Sequence, residues 1–175
     1  MGWFWNKPRI IHRPVLGILD LLETGRNSDA EYDRQKLESF FASIRESRNI
    51  PPRCDVLFVY ADLEADGRVR NIELSLREIV RDSGATIVVF ASANTPESYL
   101  GASGQARFGK ANLVMTLDRR GQVFSSFLRR LFEKMAQGVS MPVAWNELAP
   151  QVPGQNQADC PATIFACERG QVAFA

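Results

Sequence analysis

The sequence predicts an α/β protein, a three-layer α/β/α sandwich on a mainly parallel sheet. Short apolar runs alternate with segments of helical periodicity, the pattern of a sheet covered by helices. Late in the chain Phe124, Phe127, Leu128, Leu131, Phe132 and Met135 repeat at i, i+3, i+4, i+7, i+8 and i+11. That stripe marks a long helix lying on a core, which Gly138 ends.

The elements follow in order. Residues 14–22 (PVLGILDLL) form the first strand. Ser28-Asp29-Ala30-Glu31 has the S-x-x-E form of a capping box, and the helix it opens places Leu37, Phe40, Phe41 and Ile44 on one face. Asn-Ile-Pro-Pro stops that helix before the second strand, residues 54–63. Asp66-Gly67 makes a turn, Asn71 caps a helix with the buried stripe Ile72, Leu76, Ile79 and Val80, and Gly84 closes it. The third strand is 86–91, and Pro96 begins a short helix after Thr95. Residues 101–109 (GASGQARFG) read as a mobile glycine-rich loop before the fourth strand, 111–117. After a turn at 118–121 and the long helix, Ser140 and Pro142 start a helix carrying Trp145 and Leu148. Residues 161–175 read as a closing antiparallel hairpin at the C-terminus, with strands on either side of Glu168-Arg169-Gly170.

A chain of 175 residues, 45% hydrophobic and 23% charged, suits one globular domain. The expected division is an aromatic arm over residues 1–13 and a single domain over 14–175. A net charge of +1 gives no electrostatic case for nucleic acid. Arg119-Arg120 and Arg129-Arg130 read as solvated surface on a turn and a helix. Cys54, Cys160 and Cys167 have no C-x-x-C spacing, so a reducing cytoplasm fits, and no metal or cofactor is expected. No apolar run approaches the length of a membrane span. Trp3, Phe4 and Trp5 beside Lys7 and Arg9 read as an arm packed on the domain or a partner, with contact at a membrane interface as the alternative.

Motif tests are mostly negative. The glycines at 101, 104 and 109 precede Lys110-Ala111, which is neither a phosphate-binding P-loop nor G-x-G-x-x-G. Ser92 lacks the flanking glycines of a nucleophile elbow, and the one histidine, His12, lies far away in the chain. Asp20, Asp62 and Asp118 each fall near a strand end, where three carboxylates could hold Mg²⁺. Asp118 is already explained by its turn.

Two strand ends carry a resemblance. Residues 55–63 (DVLFVYADL) and 88–95 (VVFASANT) resemble the caspase-like peptidase fold, and within it the bacterial CHAT group. Residues 110–117, the long helix, residues 140–151 and residues 160–170 resemble that group's later elements; a flavodoxin-like sheet shares much of the order. Matched position by position, the group's catalytic histidine falls on Asp62 and its cysteine on Ala93. Alanine has no nucleophilic atom, and a carboxylate disfavours any nearby thiolate. The resemblance therefore implies a catalytically inactive protein-binding or adaptor module, or one that self-associates. Its cleft would involve Asp20, Asp62, Ser92, Asn94, Thr95 and Arg107. The alternative is a hydrolase using Asp62, Ser92 and Asn94 at the same tips, with metal assistance as one variant.

Overall fold

A computed structural model describes residues 7–23, 27–105, 110–149 and 159–175. Trp3, Phe4, Trp5 and Arg107 lie outside the described residues. A six-stranded sheet forms the centre, in the order β3-β2-β4-β5-β6-β7. Its strands are β2 (Val15–Asp20), β3 (Ser43–Ser47), β4 (Val56–Tyr60), β5 (Ile87–Phe90), β6 (Asn112–Asp118) and β7 (Ala162–Cys167). All adjacent pairs are parallel except β6 with β7, which closes the sheet antiparallel. β1 (Arg9–Ile11) and β8 (Val172–Phe174) form a separate parallel ribbon. Beyond the Glu168–Gly170 turn the chain therefore leaves the main sheet and pairs with β1.

The alternation of side chains across β4 builds both cores at once. Val56, Phe58 and Tyr60 face one layer, with Ala30 and Leu37 of α1 (Ser28–Leu37), the stripe of α4 (Val123–Ala136), and Met141 and Ala144 of α5 (Met141–Leu148). Leu57 and Val59 face the other, with Leu76, Ile79 and Val80 of α2 (Leu76–Ser83) and Tyr99 and Ala102 of α3 (Pro96–Gln105). All six stripe residues expected on α4 are buried. Among them Phe132 meets Phe40, Phe41 and Phe58 in edge-on or tilted contacts at 5.7–6.5 Å between ring centroids. Each such buried ring contributes about 1.5–3 kcal/mol by burial alone. Among the described residues no helix is long and apolar enough to cross a membrane.

Several local expectations are corrected. Asn27, not Ser28, caps α1, its side chain accepting from the amides of Asp29 and Ala30. The stripe through Ile44 is not one helix: a 3-10 turn (Glu38–Phe40) follows α1, Phe41 is extended, and Ile44 lies on β3. Ser75, not Asn71, caps α2 through a capping box with Glu78. Asn71 instead has φ 64° and donates its side-chain amide to the Leu21 carbonyl at 2.7 Å. The three cysteines each read from the sequence as a buried small hydrophobe; Cys160 is buried, but Cys167 is exposed. Cys54 packs against Gly17, where an added Cβ would meet its Sγ at 2.5 Å, and burial pushes its thiol up to about 12.

The glycines of the supposed mobile loop serve packing. Residues 101–105 continue α3. A Cβ on Gly101 would stand 2.6 Å from the Ala65 carbonyl oxygen, and one on Gly67 1.9 Å from the Ala102 nitrogen. The turn at Gly67, φ 84°, is thus docked backbone to backbone on α3. This fixes the sign of a substitution. Gly101→Ala gains about 1 kcal/mol of helix propensity, but crowding a backbone that cannot rotate away costs about 1–3 kcal/mol. Urea denaturation of Gly101→Ala is expected to show a lower midpoint than the parent, while the exposed Ser103→Ala stays within about 0.5 kcal/mol. A raised midpoint for Gly101→Ala would contradict this docking.

Candidate functional site

The chain runs from β2 to β3 on one side and returns to β4 on the other, so the strand order reverses between β2 and β4. In open parallel sheets the carboxyl ends beside such a reversal form the usual crevice for ligands. Here Asp20 is the last residue of β2 and Asp62 lies two residues beyond β4, with Ala93 beyond the next strand, β5. Val59 pairs with Phe90, so Asp62 and Ala93 leave the sheet side by side at one edge. Both are exposed.

Asn94 holds this edge together. Its Oδ1 accepts from the Leu63 amide at 2.9 Å, and its Nδ2 donates to the Ala61 carbonyl at 2.9 Å. The side chain thus imitates a strand residue pairing with the segment that flanks Asp62. Its own backbone amide donates to the Thr116 carbonyl at 3.0 Å. One residue ties together the segments that follow β4 and β5 and the distal part of β6.

Beyond Asp62 the chain folds back as a short hairpin over residues 62–70. Leu63 bridges Val69, the Arg70 amide donates to the Asp62 carbonyl at 3.0 Å, and the Gly67 amide donates to Glu64 at 2.8 Å. Arg70 meets Glu64 at 2.6 Å and Arg68 meets Asp66 at 2.8 Å. Hydrogen bonding to Arg70 holds the Glu64 carboxyl below its ordinary range, and hydrogen bonds from Arg68 do the same for Asp66. Between this hairpin, residues 72–76 and Ala102 lies a cavity of about 520 Å³. Val69, Ile72, Leu74, Leu76 and Ala102 give it an apolar floor, and Glu64, Arg68, Arg70 and Glu73 line it with both charge signs.

The other expected site residues have local duties. Thr95 caps α3, its hydroxyl accepting from the Ser98 amide at 3.2 Å. The Ser92 hydroxyl is buried and has no hydrogen-bond partner among the described residues, and the Ser92 carbonyl accepts from Asn94. His12 is exposed just beyond β1. Asp20 accepts from the Leu22 amide and the Asn27 side chain, and lines a different cavity between α1 and β3. Asp118 accepts from the Arg120 amide within its turn. Among the described residues no three His, Cys, Asp or Glu side chains gather as metal ligands would.

The buried network behind this edge escaped the sequence reading. Arg119, expected on the solvated surface, has a side chain only 11% exposed. Its two terminal nitrogens grip Asp33 at 2.9 and 2.8 Å, and Nη1 also donates to the Ala91 carbonyl at 2.8 Å. Tyr60 donates to Asp33 at 2.6 Å, and the guanidinium lies 4.2 Å from the Phe124 ring centroid. Burial raises the Asp33 carboxyl, while Arg119 and the Tyr60 hydroxyl pull it down. Burial, then the Asp33 charge, drives the Tyr60 phenol far up, so it remains a donor. One signal was present in the sequence: Ala30, Asp33 and Leu37 share a helical face, which puts a carboxylate on an apolar stripe.

The sequence matches no protein-family model, and no curated protein matches it.

Removing one partner of a buried pair leaves the other charge stranded, at about 3–5 kcal/mol. Arg119→Met is therefore expected to lose that much stability in urea denaturation, and Tyr60→Phe about 1–2 kcal/mol. Adding Asp33→Asn to Arg119→Met should recover part of the loss. Arg119→Met with an unchanged midpoint would mean that the network does not hold the sheet edge.

Proposed function

We propose that the chain is a caspase-like, CHAT-type domain without the His/Cys dyad, and that it binds a protein segment rather than cutting one. The observation that carries this is the use made of Asn94. Cysteine-peptidase chemistry needs a nucleophile and a base at adjacent strand tips. Those two positions offer the Ala93 methyl and the Asp62 carboxylate. The nearest amide is consumed in bonds to Ala61 and Leu63. The edge is built to hold the chain in shape, which suits recognition.

The 520 Å³ cavity beside it supplies the means of recognition. Its size falls in the range of ligand pockets, roughly 300–1,000 Å³. An apolar floor under a rim of both charge signs fits an extended peptide with one aliphatic or aromatic anchor. The rim's Arg70–Glu64 pair is exposed and contributes orientation more than affinity. Ile72 and Leu74 are half-buried, so they remain accessible to an incoming side chain.

A displayed peptide library panned on the purified protein is expected to enrich segments with a single apolar anchor. Leu74→Glu and Ile72→Glu, checked for retained circular dichroism, should each weaken the enriched peptide at least about tenfold. Absence of enrichment, or equal binding by both variants, would count against the reading. Stoichiometric labelling by a serine-directed probe that Ser92→Ala abolishes, or cleavage of the peptide, would favour the hydrolase.

A further inference from the structure

The opposite end of the sheet carries another cavity, of about 440 Å³, with a different chemistry. Arg9, Arg77, Arg81, Lys110 and Arg169 line it together with Val80, Gly84, Ala85 and Thr86, and among the described residues no carboxylate is in the lining. An Arg53 guanidinium nitrogen comes within 3.2 Å of where a Cβ on Gly84 would stand, so a sixth cation is close to the wall. The whole chain has a net charge of only +1, so this concentration is local. Among the described residues, Arg81 is the member of the five with a carboxylate partner, Asp82 at 2.8 Å.

These five cations come from four separated places in the sequence, and the fold holds several of their backbones in place. The fully buried Asn112 accepts from the Arg169 amide at 2.9 Å and donates to the Gly170 carbonyl at 2.9 Å, fixing that turn on β6. The Arg9 amide donates to Gln171 at 2.8 Å. Lys110 has φ 79°, a conformation that side chains rarely adopt. Arg77 and Arg81 stand four residues apart on α2, a repulsive spacing for like charges. The carbonyls at the C-terminal end of α2 account for a cation such as Arg81 there. They do not account for Arg9, Lys110 and Arg169 arriving from other elements.

We propose that this cavity is a binding site for a small ligand carrying two or more linked phosphoryl groups. With Arg81 matched by Asp82, a single phosphate dianion would leave two of the other four positive charges uncompensated. A pyrophosphoryl group brings three or four negative charges within a span that this volume encloses. Guanidinium forks match carboxylate and phosphoryl oxygens alike, but linked phosphoryl groups bring more charge and more acceptor oxygens to four arginines and one lysine than a single carboxylate does. The concave shape and modest net charge favour a small molecule over a nucleic-acid duplex, which needs an extended basic surface. The site lies at the far end of the strands from Asp62 and Ala93 and stands independently of the peptide-binding proposal.

Isothermal titration of the full chain with inorganic tripolyphosphate, with adenosine triphosphate and with a duplex oligonucleotide, at fixed ionic strength, tests it. Binding of either of the first two supports the site; equal affinity assigns recognition to the phosphoryl chain, and tighter nucleotide binding assigns part of it to the base and sugar. Arg77→Gln and Arg169→Gln are both exposed and should each weaken binding about tenfold, with unliganded thermal melts unchanged. Arg129→Gln, on α4 and outside this cavity, should leave affinity as it is. No binding at millimolar concentrations, equal losses in Arg129→Gln, or binding confined to a duplex oligonucleotide would overturn the proposal.

Discussion

The carboxyl edge of the sheet depends on one amide side chain. Asn94 completes the hydrogen bonding of a chain that has just left β4, at a position where no further strand is available to do so. Without its two bonds, the Ala61 carbonyl and Leu63 amide would lose these partners at the mouth of the sheet. Leaving such buried backbone groups unpaired costs about 1–3 kcal/mol each. Asn94 therefore holds the backbone on both sides of Asp62, where the hairpin at 62–70 begins. Gly67 and Gly101 then hold the hairpin tip against α3, close enough that neither position has room for a side chain.

Behind that edge, Arg119 performs a related task from the other layer. It reaches the Ala91 carbonyl just before Ser92 while its charge is matched by Asp33. A buried ion pair contributes little to net stability compared with an apolar substitute. What this pair supplies is position: with the Tyr60 hydroxyl it links α1, β4 and the segment after β6. The two ends of the sheet are consequently dissimilar. One is stapled by neutral amides and presents mixed charge over an apolar floor. The other gathers arginines around backbone turns.

Much of this was legible in the sequence where one signal dominated. The stripe of α4 and the aliphatic strands β4, β5 and β6 are long and strongly patterned, and the structure has them. β3 was hidden because it is an edge strand, Ser-Ile-Arg-Glu-Ser, whose charges suit solvent exposure. The spacing of Leu37, Phe40, Phe41 and Ile44 then imitated a helical face, although Phe40 and Phe41 reach α4 from a 3-10 turn and an extended residue. Gly101 looked like a loop residue because close backbone approach leaves no mark in one sequence beyond the glycine itself. Arg119 looked solvated because its partner, Asp33, lies 86 positions away. At the strand tips the residue types were visible from the outset; the engagement of Asn94 with the backbone depends on the register of β4 against β5, which composition does not encode.

The most direct measurement is nuclear magnetic resonance of the Asn94 side-chain amide. A through-hydrogen-bond coupling from its Nδ2 group to the Ala61 carbonyl is expected, together with slow solvent exchange of the Leu63 amide. A freely exchanging Asn94 amide with no such coupling would show that this edge is not stapled, and that Asn94 is available for chemistry after all.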